Sequence, residues 1–141
     1  MRVTMIGAGY VGLVSGACFA DFGHHVTCVD KDAGRIAALK RGEIPIFEPG
    51  LADLVATNMA QERLSFSTKP DGIDAADAVF IGVGTPSRRG DGHADLTYIY
   101  SAVREIAPLL SPTAVVVTKS TVPVGSANEG PPKIVVGVLL L

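Results

Sequence analysis

The sequence holds only two cysteines, Cys18 and Cys28. That count excludes a disulfide framework and makes a reducing, cytoplasmic setting the expectation. An excess of one charge is also missing. Twelve basic residues face 14 acidic ones, for a formal net charge of −2. No general attraction to nucleic acid follows from such a balance. Long hydrophobic runs are absent too. The longest, 134–141, has eight residues and is too short to cross a bilayer as a helix. The apolar start, Val3 to Ile6, is cut by a glycine-rich turn before it reaches signal-peptide length. Neither a membrane nor a nucleic acid is therefore an expected partner. Charged residues make up 18% and hydrophobic residues 48%, which excludes a disordered chain. The 16 glycines have no every-third-residue period, so collagen is excluded as well. What remains is one compact domain of 141 residues.

Short apolar runs alternate with helical periods. Strands are expected at 3–6, 25–30, 78–83 and 114–118, with a more exposed one around Leu64, Phe66 and Thr68. Helices are expected at 11–22, 33–41, 51–60 and 96–110. In the first helix, Val11, Val14, Ala17, Cys18 and Phe22 fall near one face and are assigned to the core. Gly12, Ser15, Gly16 and Ala20 allow close packing. Gly23 and Gly42 stop helices, and Asp32 caps one. This alternation implies an α/β domain with a doubly wound, Rossmann-like parallel sheet. Its ligand site belongs at the carboxyl ends of the strands, where the loops after Ile6, Val29, Val83 and Thr118 converge.

Gly7-Ala8-Gly9-Tyr10-Val11-Gly12 supplies a GxGxxG between a strand and a helix. Gly7 permits the tight turn, Gly9 the approach of a pyrophosphate, and Gly12 the packing of helix on strand. The helix N-terminus offers N–H groups to the phosphates. Asp30 ends the second strand, where a carboxylate can accept from both ribose hydroxyls and repel a 2′-phosphate. NAD is favoured over NADP on that ground, although Lys31 and Arg35 are cations close enough to serve a phosphate. Gly82-Val83-Gly84-Thr85-Pro86 follows the fourth strand and reads either as a ligand-facing edge or as a plain loop exit. Ser120-Thr121-Val122-Pro123 follows the fifth strand, with hydroxyls for a ligand or for a helix cap. Cys18 and Cys28 read as buried structural thiols. Asp91, His93 and Asp95 match no metal spacing, so no metal is expected. His24 and His25 lie at the amino end of their strand, away from the site.

Together these segments resemble the UDP-glucose/GDP-mannose dehydrogenase family, from residue 1 to about 126. The most specific matches are Ile44-Pro45-Ile46-Phe47-Glu48-Pro49-Gly50-Leu51 and Ser120-Thr121-Val122-Pro123-Val124-Gly125, alongside Val29-Asp30 and Ala94-Asp95-Leu96. The resemblance implies oxidation of the C6 alcohol of a nucleotide-sugar to a carboxylate with two NAD⁺. It also implies a cytoplasmic enzyme of polysaccharide biosynthesis that forms a homodimer. Motif closeness favours UDP-glucose over GDP-mannose or a UDP-N-acetylhexosamine. By the same resemblance, the Tyr10–Val11 backbone lies at the pyrophosphate and Asp30 at the adenosine ribose. Arg35 lies near the adenosine end, and Thr85 and Thr121 contact the cofactor. Thr121 would also orient the reacting centre.

The family's catalytic cysteine, with its supporting Lys, Asn and Asp, has no matching position here. No catalytic residue is expected in this chain. The expectation is a cofactor half without turnover, or alternatively a stand-alone NAD-sensing module. After Ser126 the pattern departs from the family, which suggests a truncated or rearranged product. The domain reading is therefore 1–126 for cofactor binding, with 127–141 as an atypical tail. Residues 134–141 are read as a sixth strand in preference to an exposed tail.

Overall fold

The structure is a computed structural model that describes residues 1–86 and 95–119. Five strands form one parallel sheet: β1 (Arg2–Ile6), β2 (His25–Val29), β3 (Leu64–Ser67), β4 (Ala78–Ile81) and β5 (Val115–Thr118). Their spatial order is β3-β2-β1-β4-β5. The order reverses at β1, which pairs with β2 on one side and β4 on the other. A ligand crevice belongs outside such a switch point. Four helices cover the sheet: α1 (Tyr10–Asp21), α2 (Ala33–Lys40), α3 (Leu51–Ala60) and α4 (Thr97–Ile106).

Side chains alternate across the strands and so feed two cores. Val3, Met5, Val26, Cys28, Leu64 and Phe66 meet Leu13 and Ala17 of α1, Ile36 and Leu39 of α2, and Leu51 and Val55 of α3. Ile6, Val29, Val79, Ile81 and Val116 meet Ile99, Ala102 and Ile106 of α4 on the opposite face. Each fully buried Leu, Ile or Met side chain contributes about 1.5–3 kcal/mol. The doubly wound sheet expected from the alternation is present.

The face assigned to α1 is corrected. Its buried residues are Gly12, Leu13, Gly16, Ala17 and Ala20, while Val11 and Phe22 are exposed and Val14 and Cys18 are half-buried. The reason is distance. A Cβ on Gly12 would stand 1.8 Å from the Gly7 carbonyl oxygen, and one on Gly16 would stand 2.6 Å from Cys28 Sγ. The helix lies so close to the sheet that the small residues must face it, which turns the bulkier ones outward. The strands at 25–30 and 78–83 each end one or two residues earlier than expected, at Val29 and Ile81. The tail 127–141, with its expected sixth strand, lies outside the described residues, as do Asp91, His93 and Thr121. No described helix is long and apolar enough to cross a membrane.

Candidate functional site

The carboxyl ends of β1, β2 and β4 converge on a cavity of about 530 Å³. Gly7 and Gly9 form its floor after β1, Asp30 to Asp32 and Arg35 line it after β2, and Gly82 to Gly84 after β4. Its far wall comes from α4, through Tyr98, Ser101, Ala102 and Glu105, with Thr68 and Pro70 beyond β3.

The turn after β1 is built by hydrogen bonds to its neighbours. Gly7 has φ +100°, a conformation that L side chains rarely adopt. Its N–H donates to the Val29 carbonyl at 2.7 Å, and the Gly82 N–H donates to the Ile6 carbonyl at 2.8 Å. The Ala8 N–H donates to Asp30 Oδ2 at 2.8 Å. Asp30 therefore holds the glycine turn as well as facing the cavity. Helix α1 then starts at Tyr10 with no side-chain cap and no acidic residue in its first turn. Within the helix, the Leu13 N–H bonds the Gly9 carbonyl at 2.8 Å. The N–H groups of the helix's own first turn, from Tyr10 onward, have no partner within the helix, and there a phosphate finds donors and a partial positive charge.

Eleven glycines are described, and two of them without a positive φ stand under open space. Gly9 and Gly84 lack a positive φ, and a Cβ on either would meet nothing within 4 Å. Both line the cavity. Open space above a bare backbone fits a ligand that lies directly against it, which is what a dinucleotide pyrophosphate needs. Gly82 lines the cavity too, and a Cβ there would lie 3.4 Å from Gly12 Cα, an ordinary van der Waals contact.

Asp30 is the charged centre of the site. Partial burial pushes its carboxyl up, but the N–H groups of Asp32 and Ala8 and the Arg35 guanidinium outweigh this and hold it below the usual carboxylate range. Arg35 Nη1 lies 2.8 Å from Asp30 Oδ2, and Asp32 N–H donates to Asp30 Oδ1 at 3.0 Å. Asp32 caps α2 as expected, accepting from the Arg35 N–H at 2.9 Å.

Of the expected site residues, Gly7, Gly9, Asp30 and Arg35 line the cavity. Gly12 stands behind it as a packing residue. Tyr10 and Val11 begin α1 with exposed side chains, and the Tyr10 hydroxyl donates to Glu48 Oε2 at 2.7 Å. That bond to a carboxylate pushes the Tyr10 phenol up. Thr85 is half-buried between Gly84 and Pro86, two residues of the cavity wall. Cys28 is fully buried and its thiol is pushed up to about 12, in keeping with a structural role. Cys18 is only half-buried. Among the described residues no cluster could hold a metal ion. Sequence reasoning missed the α4 wall. The 3.6 period of α4 showed which face is buried, but the ligand-facing residues lie at that face's polar margin.

The family model for the UDP-glucose/GDP-mannose dehydrogenase family, NAD binding domain, matches residues 1–136. The UDP-glucose 6-dehydrogenase of Rhizobium meliloti (strain 1021) is 68% identical over 130 residues, covering 92% of this chain and 30% of that protein. A GDP-mannose dehydrogenase structure from Pseudomonas aeruginosa matches 98% of this chain and 35% of its own, with a TM-score of 0.87 and 34% identity. A UDP-glucose dehydrogenase structure from Pyrobaculum islandicum matches 97% and 35%, with a TM-score of 0.86 and 34% identity. The chain thus spans about a third of the length of these relatives. With its glycine turn, its aspartate at the end of β2 and its sheet reversing beside the cavity, the chain belongs to the UDP-glucose/GDP-mannose dehydrogenase family and matches that family's NAD-binding domain.

Proposed function

We propose that this chain is the cofactor-binding part of a cytoplasmic UDP-glucose 6-dehydrogenase, with residues 1–126 as its NAD-binding domain. The observation that carries the reading is the pairing of Gly9 and Gly84, bare and open, with Asp30 in one cavity. In this reading the pyrophosphate lies on the backbone of Gly9, Tyr10 and Val11 at the start of α1. The adenosine ribose hydroxyls donate to Asp30 and accept from Arg35. Thr85 and Thr121 are the threonines assigned to cofactor contact. Bound NAD⁺ supplies the hydride acceptor; the chain's residues orient it and fix its adenosine half. UDP-glucose is preferred as substrate because the relative at 68% identity bears that name, whereas the GDP-mannose dehydrogenase is 34% identical. The nucleotide-sugar contacts, the catalytic thiolate and a homodimer interface belong to the longer enzyme.

Calorimetric titration with NAD⁺ on wild type and Asp30→Ala tests the reading. The expected result is NAD⁺ binding weakened about tenfold or more by the loss of a charge-assisted hydrogen bond. Equal affinity in the two proteins would remove the ribose role from Asp30.

A further inference from the structure

Two cations flank Asp30, and both are engaged. Arg35 Nη1 is 2.8 Å from Asp30 Oδ2, and Arg35 Nη2 is 3.8 Å from Asp32 Oδ2. Lys31 Nζ is 2.6 Å from Glu105 Oε2. The second pair joins opposite walls of the cavity, because Lys31 follows β2 and Glu105 sits on α4. Among the described lining residues, three carboxylates therefore face two cations at the adenosine end.

We propose that Glu105 is a specificity-determining positioning residue: by holding Lys31 in an ion pair across the cavity, it keeps the site selective for a dinucleotide without a 2′-phosphate. The inference rests on the reading that the adenosine ribose sits at Asp30. A phosphate monoester brings roughly −1.5 to −2 charges at neutral pH. A site with more carboxylates than cations repels it unless a cation is released. Arg35 is bound to the carboxylate that the ribose itself needs. Lys31 is the cation available for release. It is the residue next to Asp30, its ammonium rides on a flexible four-carbon stem, and its pair with Glu105 is exposed. An exposed pair is worth little, so the discrimination that Glu105 supplies is a few-fold effect. Discrimination against the 2′-phosphate thus depends on an α4 residue that sequence patterns for cofactor choice do not include.

The test is calorimetric titration of the 141-residue chain with NAD⁺ and NADP⁺ at low ionic strength, using wild type, Glu105→Gln, Lys31→Met and the double variant. Glu105→Gln should tighten NADP⁺ binding by about fivefold and leave NAD⁺ within about twofold, with the gain shrinking as salt screens it. The double variant should lose the gain. Unchanged NADP⁺ affinity in Glu105→Gln, with NAD⁺ binding intact, overturns the proposal. A gain that survives in the double variant also overturns it, because Lys31 would then not be the agent. Absence of NAD⁺ binding in wild type would instead overturn the cofactor reading, and this inference with it.

Discussion

Asp30 performs two tasks with one carboxylate. Its Oδ2 takes the Ala8 N–H and the Arg35 guanidinium, and its Oδ1 takes the Asp32 N–H. A carboxylate offers about four acceptor positions, so three protein donors leave little unused capacity. One position remains, on Oδ1, so one ribose hydroxyl can enter there and a second only by sharing Oδ2 with Ala8 and Arg35. The same bonds make Asp30 a stability residue. Its folded-state carboxyl titrates below the ordinary value of 3.8. A depressed acid stabilises the fold above the unfolded-state value, and the contribution disappears as pH falls through the folded one. Wild type should therefore unfold at higher temperature than Asp30→Asn near pH 7, with the gap closing below about pH 4. Thermal melts across that range check this. A gap of constant size from neutral to acid pH would show that the carboxylate charge is not the source.

At the scale of the element, the start of α1 separates two glycines with different reasons to exist. Gly12 is demanded by the fold, since a Cβ would stand 1.8 Å from the Gly7 carbonyl oxygen, a backbone atom in a tight turn. Gly9 is demanded by nothing inside the protein. Gly12→Ala should cost about 3 kcal/mol of stability, at the upper end for overpacking. Gly9→Ala should leave the melting temperature unchanged and weaken NAD⁺ several-fold by filling the space over the backbone. If Gly9→Ala melts early and binds normally, the two roles are exchanged. The glycine spacing and its strand–helix context were readable from sequence because period and turn chemistry are local. The inward face of α1 was not. Hydrophobicity assigns Val11 and Phe22 to the core, but the helix-to-sheet distance assigns Gly12, Gly16 and Ala20. That distance is set by β1 and β2 side chains such as Met5 and Cys28, which no helical wheel contains. The Lys31–Glu105 pair was hidden for the same reason. Lys31 read as a cation able to serve a phosphate, nothing in the sequence paired it with Glu105, and only the crossing of α4 over the sheet brings the two together.

At the scale of the whole molecule, the sheet, the cavity and the sequence relatives identify a cofactor domain, and the cysteines limit what it can do alone. Cys28 lies mid-strand, fully buried, with a thiol pushed up to about 12, far from the thiolate that nucleophilic capture requires. Cys18 sits in the middle of α1, whose N-cap Gly9, and not the helix body, lines the cavity. Binding and turnover should therefore separate in the 141-residue chain. NAD⁺ at 100 times its dissociation constant should add about 2.7 kcal/mol to stability, because a ligand of the folded state alone shifts the equilibrium by mass action. That raises the melting temperature by several degrees, roughly 4–8 °C per kcal/mol at 60–100 residues and less in a longer chain. Adding UDP-glucose to the NAD⁺-loaded chain should produce no NADH absorbance. Stabilisation without NADH is the outcome expected of a cofactor domain. NADH formation would mean that a group within these 141 residues completes the oxidation, and the assignment of that chemistry to the longer enzyme would fail.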